Sequence, residues 1–190
     1  MTTDFTVLTA AGVRAELAAV SADAGATFGP LDDRQFNWRA SDATWSVGQC
    51  LEHLLAVNRS MCANMGDALD STGRRSIAQR LPFLPGLLGP MLVRSQSPVS
   101  PRKIKTAQWA QPAASAIERR VLREFTDYNS EMSARVQALD DRALAGVIMV
   151  SPFASFIAYS VLDGWRLMLA HDRRHVEQAR RVTQAGEFPA

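Results

Sequence analysis

Three observations predict an all-α fold, a four-helix bundle with a long crossover between helices two and three. Four stretches of the 190-residue chain repeat apolar residues at three- and four-residue steps. No parallel-sheet signature interrupts them. Six of the nine prolines (Pro82, Pro85, Pro90, Pro98, Pro101 and Pro112) crowd residues 80–112, where a long helix is therefore not expected and a connection is. A chain of this length that is 47% hydrophobic can build one real core, so residues 1–190 read as a single domain.

Helix one is predicted from Thr6 to about Phe28, where Val7, Leu8, Val13, Leu17 and Val20 recur and Gly29-Pro30 provide the stop. A polar connection through Asp32-Asp33-Arg34 and Trp38 follows. Ser46-x-x-Gln49 has the form of a capping box, which starts helix two and carries it to roughly Leu69. Cys50, His53, Val57, Met61 and Asn64 lie along one of its stripes, and Leu51, Leu54, Leu55 and Met65 broaden the apolar face. The crossover over residues 71–111 holds the apolar run from Leu81 to Leu88, too greasy for a free loop and expected to fold over the bundle as short helical turns. A loop of this length is often functional, and a lid is one option.

Helix three is predicted over about Ala113 to Leu139, from Ile117, Val121, Leu122, Phe125, Tyr128, Met132 and Val136, and Asp140-Asp141-Arg142 ends it. Ser151-Pro152-Phe153 reads as a turn. Ser160-x-x-Asp163 is a second capping-box form, from which helix four runs to near Gly186. Its stripe is Val161, Gly164, Met168, His171, His175, Gln178 and Val182.

The net charge of +2 is unevenly spread. Ser71 to Gln111 holds seven basic residues and no acidic one, leaving fourteen basic against nineteen acidic elsewhere. Such a segment reads first as a solvated connection and second as a contact for an anionic small molecule. Aromatic interleaving and nucleic-acid motifs do not accompany it, so a nucleic-acid partner is not indicated. No run reaches the ~20 apolar residues of a membrane span, and the N-terminus lacks the pattern of a signal peptide, so a cytoplasmic protein without membrane contact is expected. Cys50 and Cys62 share helix two, twelve residues and roughly 18 Å apart, too far to bridge. That suits a reducing compartment.

Histidine is where the chemistry concentrates. There are only three, and His171 and His175 stand four apart, which puts both imidazoles on one helical face where they can grip one ion. If helices two and four pack side by side, His53 joins them, giving three nitrogens with coordination positions left open. A lone histidine on an apolar stripe is ordinarily a hydrogen-bonded core residue, and that reading applies to His53 taken alone. His-Asp-x-x-His also looks like the zincin form His-Glu-x-x-His, but with a shorter carboxylate and no downstream third ligand, since Glu177 faces away. Cys50, one turn before His53, reads first as a small buried core residue and second as a group near a metal.

Four segments together carry a likeness: Trp45-Ser46-Val47-Gly48-Gln49-Cys50-Leu51-Glu52-His53-Leu54, Ser100-Pro101-Arg102-Lys103-Ile104-Lys105, Ser151-Pro152-Phe153, and Leu169-Ala170-His171-Asp172-Arg173-Arg174-His175-Val176-Glu177-Gln178. In this order the chain resembles the DinB-like superfamily (DinB/YfiT-type metalloenzymes) from about residue 28 to residue 183. The resemblance implies a four-helix bundle, often a homodimer, whose ligands to a divalent metal such as zinc or nickel are His53, His171 and His175. It implies a supporting or substrate-touching place for Gln178, and it sets Asp172, a candidate catalytic carboxylate, where many members have glutamate. Cys50 and Asn64 are further candidates for supporting the site or touching substrate. The activity implied is addition of a low-molecular-weight thiol, such as mycothiol or bacillithiol, to a small electrophilic substrate. The alternatives are a metal-dependent hydrolase and a non-enzymatic, stress-related binding bundle.

Overall fold

The structure is a computed structural model that describes residues 3–71, 79, 84–100, 106–113 and 116–190. Its helices are α1 (Ala10–Phe28), α2 (Asp33–Asn37), α3 (Val47–Asp70), α4 (Leu84–Gln96), α5 (Arg120–Gln137), α6 (Asp141–Gly146) and α7 (Val161–Thr183). Two strands, β1 (Ile148–Ser151) and β2 (Ala154–Ser160), stand between α6 and α7. The bundle is formed by the long helices α1, α3, α5 and α7. Each of α1 and α3 packs against both α5 and α7, which puts the first two long helices on one diagonal. Val13, Leu17, Leu51, Leu54, Phe125, Met132 and Leu169 are fully buried between them.

The helix starts follow their side chains. Ser46 Oγ accepts from the Gln49 N–H at 3.1 Å and the Gln49 carboxamide accepts from the Ser46 N–H at 3.1 Å, completing the box that begins α3. Ser160 Oγ likewise caps α7 by accepting from the Asp163 N–H at 3.0 Å. Helix one starts later than its periodicity suggests, because Thr9 takes the cap and Phe5–Val7 form a separate short turn. α5 also starts late, at Arg120. Before it, the Ile117 N–H donates to Asn37 Oδ1 at 2.7 Å and the Ile117 carbonyl accepts from Asn37 Nδ2 at 3.0 Å, so α2 satisfies backbone that a longer helix would have used.

Two features depart from the expected four helices and open crossover. Residues 148–160 form a small antiparallel hairpin, with Met149 opposite Tyr159, both fully buried, and a register shift after Val150. The Ser151-Pro152-Phe153 turn is the tip of that hairpin rather than a link between helices. Within the expected crossover, α4 is a continuous helix of 13 residues despite Pro90. It lies on α7 and β2, and Val93 is buried there, so tertiary burial outweighs the local cost of proline. Leu81-Pro82-Phe83, Pro101 to Lys105 and six of the crossover's seven basic residues fall outside the described residues; Arg94, on α4, is within them.

Gly48, in the first turn of α3, permits a close approach. A Cβ there would stand 2.8 Å from Phe36 Cε1 and 2.9 Å from Ile117 Cβ. Gly48→Ala gains about 1 kcal/mol of helix propensity but overfills the junction at about 1–3 kcal/mol. A net loss of up to about 2 kcal/mol is therefore expected in urea denaturation. A midpoint unchanged or raised would show that the junction yields.

Candidate metal centre

α3 and α7 pack side by side, and the contact brings all three histidines together. One nitrogen from each of His53, His171 and His175 lies within 4.8 Å of the others. The ring centroids are 4.5 to 5.1 Å apart and the rings are tilted edgewise. His53 is oriented from behind by backbone. Its Nδ1 donates to the Ala110 carbonyl at 2.6 Å, which leaves Nε2 as a bare lone pair facing His171 Nε2 at 3.3 Å. Two nitrogens bound to one tetrahedral ion at ~2.0–2.1 Å would stand about 3.3 Å apart.

Residues at the start of α3 also fasten the chain three residues beyond that carbonyl. Gln49 Nε2 donates to the Ala113 carbonyl at 2.8 Å and a Glu52 carboxylate oxygen accepts from the Ala113 N–H at 2.7 Å. Gln49 thus serves twice, with its oxygen in the capping box and its nitrogen on the connection that orients His53.

All three imidazoles favour the neutral form that a metal ligand requires. Burial lowers the pKa of His53, against the pull of its bond to Ala110. His171 is held well below the usual histidine value by burial, then by His175 and His53. Burial, His53 and Arg174 take His175 to about 3. The Nδ1 atoms of His171 and His175 are buried without a hydrogen-bond partner among the described groups. Three neutral imidazoles, each with one nitrogen turned toward the other two, offer lone pairs that a single ion would share. The donor set therefore fits a divalent metal ion.

The cluster opens onto a cavity of about 1020 Å³. Trp38, Trp45, Val57, Met61, Leu167 and Met168 supply much of its wall, and the hairpin adds Ser151, Phe153, Ala154 and Ile157. Trp45 stacks against His175 with centroids 5.8 Å apart and also packs against His53. Phe153, at the hairpin tip, stacks on Trp109 at 5.7 Å.

The other sequence candidates separate by face. Gln178 lines the cavity one turn beyond His175. Asp172 points away from the cavity; it is fully buried, and both its oxygens accept from Asn58 Nδ2, at 3.0 and 3.2 Å. Cys50 is buried in the core, where burial pushes its thiol up to about 12, and it neither joins the three histidines nor lines the cavity. Asn64 is half-buried further along α3 and does not line the cavity.

Sequence reading missed the Ala110 carbonyl, the tryptophans, the hairpin wall, and Arg174 and Arg181. A backbone carbonyl leaves no residue signature. The two arginines did leave one, because they fall beside His171, His175 and Gln178 on the same helical stripe.

The sequence profile of the DinB superfamily matches residues 16–179. Among solved structures the chain is similar to YfiT from Bacillus subtilis, described as "a probable metal-dependent hydrolase with an unusual four-helix bundle topology". The TM-score is 0.61 at 13% identity, over 92% of this chain and 86% of that one, a likeness of fold. No curated protein matches the chain. Because the profile match runs from within α1 to within α7 and spans both histidine-bearing helices, the chain belongs to the DinB superfamily.

Proposed function

We propose that the protein is a divalent-metal-dependent S-transferase that joins a low-molecular-weight thiol to a small electrophile. The observation that carries this reading is the three-histidine cluster at the wall of a cavity with no carboxylate among its described lining residues. When bound, a divalent ion supplies Lewis acidity that lowers the pKa of an oxygen or sulfur ligand. A free thiol starts near pKa ~8.5 and needs little further help to ionise. Water starts near ~15.7 and calls for more, usually a placed base. Asp172, the nearest carboxylate in sequence to the histidines, is turned into the core and cannot serve.

His53, His171 and His175 would hold the ion, and the Ala110 carbonyl fixes the His53 tautomer. Gln178 is placed to donate to a ligand beside His175. At about 1020 Å³ the cavity has room for two organic reactants, whereas hydrolysis needs one reactant and water. In the reaction the thiol sulfur forms a bond to the electrophilic carbon. The leaving group departs with its electron pair, and the thiol proton passes to the leaving group or solvent.

The test is turnover of a chromogenic electrophile by zinc- or nickel-loaded protein with a panel of thiols. The proposal expects a rate that needs both metal and thiol and saturates in each. A rate that needs metal but is indifferent to thiol would establish hydrolysis instead. No turnover with any thiol, by protein that retains its metal, would favour a binding bundle.

A further inference from the structure

We infer that the cavity beside the three histidines is shaped for an organic anion, with its apolar body among Trp45, Phe153 and Leu167 and its negative group toward Arg174 and Arg181. This rests on reading the cavity as the substrate site, but not on an ion being bound there.

The first support is charge. Arg174 and Arg181 are the charged side chains among the described lining residues, and no aspartate or glutamate accompanies them. The acidic groups near α7 are directed elsewhere. Arg173 pairs with Glu16 and Asp23, Arg180 with Asp23 and Glu177, and Arg166 with Asp163, all away from the cavity. Arg181 makes no ion pair with any described residue. With neutral imidazoles beside them, the guanidiniums leave the cavity positive, and a divalent ion would make it more so. An apolar-walled space whose charged lining groups are both cationic favours an anionic occupant, which meets the guanidiniums as it displaces water from them.

The second support is spacing. His171, Arg174, His175, Gln178 and Arg181 fall on one face of α7. Arg181 lies six residues beyond His175, roughly 9 Å along the axis. Arg174 is beside the histidines and donates to the Ser95 carbonyl at 3.1 Å, which anchors its guanidinium. A ligand whose negative group reaches Arg181 can therefore lay its body along the aromatic wall and bring its other end to the cluster. Planar guanidinium forks suit a carboxylate or a sulfonate.

The test compares two dyes that share an apolar body, anilinonaphthalene sulfonate and its uncharged parent N-phenylnaphthylamine. Fluorescence titration of the full chain is run metal-loaded and after chelation. The sulfonate is expected to bind at least about tenfold more tightly than the neutral dye in both states. Arg181→Gln and Arg174→Gln should each remove most of that preference, Arg181→Lys should keep it, and affinity for the neutral dye should not change. Equal affinities, no binding of either dye, or a preference that survives both glutamine variants would overturn the inference. Dye preference in a chain that binds no metal would sink the metal-enzyme reading alone, and equal dye affinities in a metal-binding chain would sink this inference alone.

Discussion

Replacing His53, His171 or His175 with alanine is expected to lower divalent-metal affinity by more than about a hundredfold, the upper end of what loss of a supporting hydrogen bond costs a metal site. The three nitrogens lie within 4.8 Å of one another, so each replacement removes a donor that the other two cannot supply. The variants should remain folded, because they take a neutral imidazole out of the apolar interface and leave no charge uncompensated. Circular dichroism checks the fold and competition with a chelating dye reads the affinity. Metal should also raise the melting temperature of the wild type and leave the variants unchanged. Ion at about a hundred times its Kd stabilises by about 2.7 kcal/mol if only the folded state binds it. Wild-type affinity in any single variant would remove that histidine from the site.

Asp172→Asn is expected to flatten the alkaline side of the stability profile of the metal-free protein. Asp172 is fully buried with Asn58 as its partner, and burial takes its carboxyl from 3.8 to about 8, with Asn58 and Arg173 pulling the other way. A carboxyl whose pKa is raised by folding contributes stability that is complete below 3.8 and is lost as pH rises toward about 8. The histidines act in the opposite sense. Their folded pKa values lie below 6.5, so stability is lost as pH falls below 6.5, where the unfolded chain takes up protons that the folded chain refuses.

Each proton is worth about 1.4 kcal/mol per pH unit, so below 6.5 three histidines outweigh one carboxyl and above it Asp172 acts alone. The metal-free protein should be most stable near pH 6.5. Between there and pH 8 it should lose about 2 kcal/mol that Asp172→Asn does not lose. Urea denaturation of both proteins at the two pH values, with chelator present, makes the comparison, and parallel profiles would mean that Asp172 is charged in the folded state throughout.

The clustering of the histidines was legible because helical periodicity is a strong constraint. His171 and His175 four apart, Ser46 capping the helix of His53 and Ser160 capping theirs each followed from local chemistry, and those helices lie where the spacing put them. The hairpin was not legible, because β1 has only four residues and Ser151-Pro152-Phe153 signals a turn whether helices or strands flank it. α4 was obscured by Pro85 and Pro90, whose helix-breaking tendency gives way to packing on α7 and β2. The spacing that placed the histidines on one face also placed Arg174 and Arg181 there. Asp172, between His171 and His175 in sequence, lies on another face of the same helix, so adjacency in the chain was a poor guide to membership of the site.

The central claim is that His53, His171 and His175 jointly hold one divalent ion. X-ray absorption spectroscopy of untagged, zinc-loaded protein, with metal content measured on the same sample, tests it most directly. The geometry predicts one equivalent of zinc with three imidazole nitrogens at about 2.0–2.1 Å and a remaining light-atom ligand. A first shell with one imidazole or none, or metal well below one equivalent, would contradict it.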